Sequence, residues 1–303
     1  MNDGLSIDIV ELIACKNYVR HSRYHGTHKM QASGIRLSKF RGRGMDFSEA
    51  RNYQAGDEIR HMEWRVTART GRPHIKIYHE EKQRPVIIMN DFNPSMYFGT
   101  SIALKSVVAA KLAAMIAWTA ISQGDRVGGL LFGALGHDEF VPKQRETGIL
   151  PWLAKLSSYT TQYKSMPLQQ SRPLSEALLR LRHVVRPGCL IILISDMYQL
   201  DNESAMHLNR LHLHNDILLY HICDEIEITT PKSGIYTIGC NQEATVLDLN
   251  NTAIRKKYQQ FCDSRQRNIR DLCQRTQIQY NLITSNSDIP QIIQQTLPRR
   301  PGG

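Results

Sequence analysis

From residue 85 onward the chain alternates short, nearly continuous apolar runs with longer segments of helical period, and few folds accept that alternation. The run over 85–90 holds Val86, Ile87, Ile88 and Met89, and similar runs cover 125–133, 189–194, 216–223 and 278–284. A strand that is apolar on both faces belongs to a sheet covered on both sides. Between the runs, 101–123 is rich in Ala, Leu, Ile and Met and stops at Gly124, and 175–185 stops before Pro187-Gly188. Segments 204–213, with Asp201 or Asn202 near its start, 253–276 and 287–297 complete the helical set. The expected class is α/β, with a mostly parallel central sheet, helices on both faces and right-handed crossovers.

Residues 1–84 have a different texture. Gly34, Gly42, Gly44, Gly56 and the Gly71-Arg72-Pro73 break interrupt any period, so the segment reads as an irregular, partly helical lead-in with one strand near 74–79. The 303 residues thus divide into a lead-in (1–84), a Rossmann-like domain (85–298) and a tail (299–303). Hydrophobic residues at 41% and charged ones at 22% exclude a disordered or fibrous chain. The most apolar stretch, 107–121, contains Lys111 and follows Lys105, which reads as a buried helix and not as a membrane span. The first ten residues carry Asp3 and Asp8 and lack a basic start, so the expectation is a cytoplasmic protein without a transmembrane segment. Six scattered cysteines without a C-x-x-C pair point to reduced, buried thiols.

Two predicted strands end in aspartate, Asp91 and Asp196. Ligand groups in open α/β sheets collect at the carboxyl ends of strands. The loop Asp91-Phe92-Asn93-Pro94-Ser95-Met96 sets three oxygen-bearing side chains at alternate positions, with Asp196 as a second carboxylate, a pattern suited to a hard cation such as Mg²⁺. The structural alternative is that both aspartates cap helices or order loops.

The formal charge is +10, with basic residues crowded before residue 85. Arginines there are interleaved with Asp46, Glu49, Asp57, Glu58 and Glu63, which suits an internal ion-pair network, with Tyr53 and Trp64 burying apolar area to anchor the segment. Exposed arginines would instead contact an acidic partner or phosphate. Nucleic-acid binding is an alternative, although no helix-turn-helix, zinc-finger, RNP or KH signature accompanies the charge. Catalytic motifs are missing: there is no Gly-x-Ser-x-Gly elbow, P-loop or His-Glu-x-x-His. A metal-dependent phosphoryl-transfer enzyme is a further alternative, with only Asp91 and Asp196 well placed for it.

Ser38-Lys39-Phe40-Arg41-Gly42-Arg43-Gly44-Met45-Asp46-Phe47, then Arg51, Tyr53, Gly56-Asp57-Glu58-Ile59-Arg60, Glu63-Trp64 and Ala68-Arg69, followed by the Asp91 loop, resembles domain-of-unknown-function family 58. The resemblance covers about 34–196. It implies a von Willebrand factor A-like domain, a MoxR-type AAA+ ATPase as partner, and a metal-ion-dependent adhesion site of pattern Asp-x-Ser-x-Ser with a later threonine and a distal aspartate. Asp91, Ser95 and Asp196 match. Asn93 stands where serine is expected, and 169–175 offers Ser171 or Ser175 in place of threonine. On this reading Asp91, Asn93, Ser95 and Asp196 hold Mg²⁺ or Mn²⁺ with an open position for a partner's carboxylate. Arg41, Arg43, Asp46, Arg51, Tyr53, Asp57, Arg60, Trp64 and Arg69 form a motif or interface. The expected function is a non-enzymatic adaptor between the ATPase and a client protein.

Overall fold

The computed structural model describes residues 4–22, 45–54, 62–80, 84–162, 171–240 and 243–297. Along the chain, α1 (Ile9–Ser22) is followed by β1 (Met45–Asn52), α2 (Trp64–Thr70), β2 (His74–Glu80), β3 (Pro85–Phe92) and α3 (Lys105–Ser122). Next come β4 (Arg126–Gly133), β5 (Gly136–Lys143), α4 (Glu146–Thr160), α5 (Leu174–Val184), β6 (Leu190–Ser195), α6 (Asn202–His212) and β7 (Asp216–Ile222). The hairpin strands β8 (Ile235–Cys240) and β9 (Glu243–Asp248), helix α7 (Thr252–Arg275), β10 (Gln279–Ile283) and α8 (Ile289–Thr296) complete it.

Two units emerge, 27–83 and the remainder of the chain. In the larger, the sheet runs β10-β7-β6-β3-β4-β5, with only the edge strand β5 antiparallel. Strand order therefore reverses between β3 and β6, and the crevice beyond their carboxyl ends is where such sheets bind ligands.

Alternation within each strand divides the core. Val86 and Ile88 of β3, with Leu190, Ile192 and Ile194 of β6, face α1, α3, α4 and α8. Ile87 and Met89, with Ile191 and Leu193, face α5, α6 and α7. This period of two inside uninterrupted apolar runs is the physical reason that the strands read as doubly covered. Helix α3 is long and apolar enough to cross a membrane by composition, but its residues line this core. Among the described residues Cys15, Cys189, Cys223, Cys262 and Cys273 are buried and unpaired.

The sequence places α1 in a lead-in, whereas the structure seats it in the larger unit. Ile7 and Leu12 are buried in the core, Trp118 Nε1 donates to Leu12 O at 2.9 Å, and Ser157 Oγ donates to Ile7 O at 2.7 Å. The expected strand near 74–79 is β2, but it pairs with β1 through a bulged antiparallel ladder that the sequence reading left irregular. Trp64 corrects another expectation. It begins α2 and is 64% exposed, because this seven-residue helix buries none of its residues. Tyr53 is half-buried, with its N–H donating to Pro73 O at 2.8 Å, and Arg69 is exposed in the last turn of α2. Asp46 and Arg51 lie on β1, while Arg41, Arg43, Asp57 and Arg60 fall outside the described residues.

Candidate functional site

Asp91 is the penultimate residue of β3, and Asp196 directly follows β6, so adjacent parallel strands deliver both carboxylates to the reversal point. Both are 1% exposed. Their surroundings differ. Asp91 Oδ1 accepts from the Asn93 N–H and Nδ2, each at 2.9 Å, and its Oδ2 accepts from Ser195 Oγ at 2.7 Å. Those are neutral donors. Burial and the neighbouring Asp196 charge therefore push the Asp91 carboxyl up to about 6, against the pull of these hydrogen bonds.

Asp196 has a cation instead. Lys105 Nζ, 2% exposed at the start of α3, lies 2.9 Å from Asp196 Oδ2 and 2.8 and 3.0 Å from the two oxygens of Glu227. Burial alone would raise the Asp196 carboxyl, but Lys105 outweighs it, together with the Tyr198 N–H and Arg265, and holds it below the usual range. Burial likewise works against the Lys105 ammonium, and Asp196 and Glu227 more than offset it. Arg265, on α7, donates to Asp196 O at 2.7 Å and stacks over the Tyr198 ring at 4.5 Å.

Three loops are tied here. Glu227 accepts from the Asp224 N–H at 2.9 Å, and Asp224 in turn accepts from the Thr100 N–H at 2.8 Å and Oγ1 at 2.5 Å. The segment after β7 is thus joined to the loop between β3 and α3. After β6, Met197 takes a left-handed conformation with φ 55°, sparsely populated for such a residue, while its N–H donates to Ser195 Oγ. Backbone strain of this kind is held only where surrounding bonds over-determine it.

The ligand set implied by the resemblance does not fit as a unit. Asn93 Oδ1 accepts from the Arg172 N–H at 2.9 Å, and its Nδ2 donates to both Asp91 and Arg172 O, so the amide fastens the 171–173 segment. Ser175 Oγ is spent on Oδ2 of Asp201, the N-cap of α6, at 2.9 Å, and Ser171 is exposed. Asp196 already faces an ammonium. Ser95 differs, since its buried Oγ has no hydrogen-bond partner among the described residues. Asp91 and Ser95 alone keep capacity for a hard cation, short of the two carboxylates expected, and no group of three or more His, Cys, Asp and Glu poised for a metal occurs among the described residues.

A thiol and an imidazole also meet beneath this cluster. Cys223 Sγ lies 3.2 Å from His221 Nε2, which also bonds Asp196 O at 3.1 Å. Burial, reinforced by Glu227, pushes the Cys223 thiol up to about 12, and burial with Arg265 pushes His221 down to about 4. The pair is therefore neutral and unsuited to nucleophilic attack.

The sequence reading singled out Asp91 and Asp196 and missed Ser195, Lys105, Glu227 and Arg265. Lys105 carried one signal, a charge opening an otherwise apolar helix. Glu227 and Arg265 carried none, because their roles arise from contacts with Lys105 and Asp196, far away in sequence.

A family model described as "Protein of unknown function DUF58" matches residues 49–268, more than half of the chain and every member of the cluster just described. The chain belongs to the DUF58 family. Relatives of this DUF58 chain include the uncharacterized proteins Rv1480 of Mycobacterium tuberculosis and Mb1516 of Mycobacterium bovis, each 27% identical over 201 residues. Those residues are 66% of this chain, and the match spans 62% of the length of the relatives. Among solved structures, the conserved hypothetical protein BatB from Bacteroides thetaiotaomicron is similar at 13% identity, covering 70% of this chain and 96% of that one, with a TM-score of 0.42. The manganese-loaded Plasmodium vivax TRAP protein is similar at 16% identity, covering 46% of this chain and 56% of that one, with a TM-score of 0.33.

Proposed function

We propose that this DUF58 chain is a non-enzymatic adaptor with a Rossmann-like, von Willebrand factor A-like domain that docks protein partners on the carboxyl edge of its sheet. The partner class is a MoxR-type AAA+ ATPase, a pairing that rests on the family resemblance, and the second partner is a client protein. The reading rests on one observation. Three loops leaving adjacent parallel strands at this edge each present a large exposed apolar side chain: Ile102 (67%) after β3, Leu135 (49%) after β4 and Tyr198 (52%) after β6. Exposed apolar side chains on neighbouring loops are typical of a protein-binding surface. The bonded loops beneath hold that surface in shape, which limits the ordering cost of association.

The test is capture of a purified MoxR-type ATPase from the same genome by the full chain and by an Ile102→Asp, Leu135→Asp variant. Both positions are exposed, so melting should stay close to that of the parent. Capture should weaken by about tenfold or more, as expected when apolar contacts within an interface are replaced by charge. Undiminished capture would remove the carboxyl edge as the docking surface.

A further inference from the structure

An ammonium group has three donors. Those of Lys105 face three oxygens, Asp196 Oδ2, Glu227 Oε1 and Glu227 Oε2, at 2.8–3.0 Å. No donor is left over. Lys105 is also the first residue of the 18-residue helix α3, whose first turn contains no acidic residue. A cation at the positive end of a helix dipole is unfavourable there unless carboxylates offset it. Asp196 and Glu227 do so, coming from the segments after β6 and β7, while the Lys105 N–H is fixed by Phe98 O at 2.9 Å in the loop after β3. One cation thus cross-links loops from three strands, the task a divalent ion would perform at a metal-dependent edge. Arg265 adds a second positive group, 3.6 Å from Glu227. A divalent ion touching Asp196 would have to displace a tethered ammonium or sit beside two like charges.

We propose that the Lys105 ammonium is the standing cation of this site, bridging Asp196 and Glu227 in place of a divalent metal, and that the carboxyl edge is consequently organised without Mg²⁺ or Mn²⁺. Its bearing on partner capture rests on the adaptor reading, whereas the claim about the cation concerns the chain alone. The experiment therefore uses the full chain with no partner, so loss of either idea leaves the other standing. Thermal melts with chelator and with millimolar Mg²⁺ or Mn²⁺, together with Mn²⁺ paramagnetic resonance, are recorded for the parent and for Lys105→Ala. The parent should melt at the same temperature in all conditions and leave the Mn²⁺ signal that of the free ion. The variant should melt lower and recover part of the loss on adding either ion, because the buried Asp196 and the half-buried Glu227 then lack the ammonium that bridges them. Micromolar Mn²⁺ binding by the parent, or a lower melting temperature with chelator, overturns the proposal. So does a folded variant that ignores divalent ions. Should Lys105→Ala not fold, the parent measurements alone decide.

Discussion

Replacing Asp91 by Asn tests the electrostatics of the site directly. In the folded protein burial and Asp196 raise the Asp91 carboxyl from 3.8 to about 6, so the folded state holds its proton more tightly than the unfolded chain. The stability this contributes is complete below the unfolded value and is lost as pH rises through about 6. A rise of about two in pKa, at roughly 1.4 kcal/mol for each, corresponds to a loss on the order of 3 kcal/mol by neutral pH. Asparagine keeps an oxygen for the Asn93 donors but turns an NH₂ toward Ser195 Oγ, a pH-independent penalty of about 1 kcal/mol. His221 acts in the opposite sense. Its folded value is depressed from 6.5 to about 4, so its contribution is present above the unfolded value and is lost as pH falls through that window. The two slopes oppose and partly cancel in the parent, whereas Asp91→Asn loses the Asp91 contribution and should be less stable toward acid relative to the parent. Urea unfolding followed by fluorescence of the buried Trp118 and Trp152 at several pH values measures this. The variant-minus-parent difference should grow by about 3 kcal/mol between about pH 4 and neutrality. A difference that stays constant, or changes in the other direction, refutes the account of Asp91.

Two further outcomes follow from packing and hydrogen bonding. Thr100→Val removes the 2.5 Å hydroxyl bond to the buried Asp224 carboxylate and should cost roughly 1–3 kcal/mol, seen as a lower urea midpoint with an unchanged slope. Gly129→Ala would bring a Cβ to 2.3 Å from Trp152 Nε1, so the indole must move. We expect a loss of about 1–3 kcal/mol and a shift in tryptophan emission, and an unchanged spectrum would contradict the packing of α4 on β4.

The strands of the larger unit were legible in the sequence because both faces of β3, β4, β6 and β7 are buried, leaving uninterrupted runs such as Val86–Met89 and Leu190–Ile194. The antiparallel edge strand β5 was not, since an edge needs no apolar run and Gly136 and Pro142 interrupt it. Helix α4 was hidden by Pro151 in its interior, which removes a donor but is carried by the burial of Trp152, Leu153 and Leu156. Helix α1 is not legible as part of the larger unit, because nothing local says that Leu12 packs beside Trp118, more than a hundred residues away.

The chain by itself determined that Asp91 and Asp196 would stand at strand ends, because apolar runs mark where strands stop and strand ends in a parallel sheet share one edge. Only the tertiary structure decided how each carboxylate is compensated. Asp91 meets neutral donors and Asp196 meets Lys105, and that choice depends on which distant side chains burial forces into hydrogen-bonding range, a matter of three-dimensional neighbours on which local sequence pattern is silent.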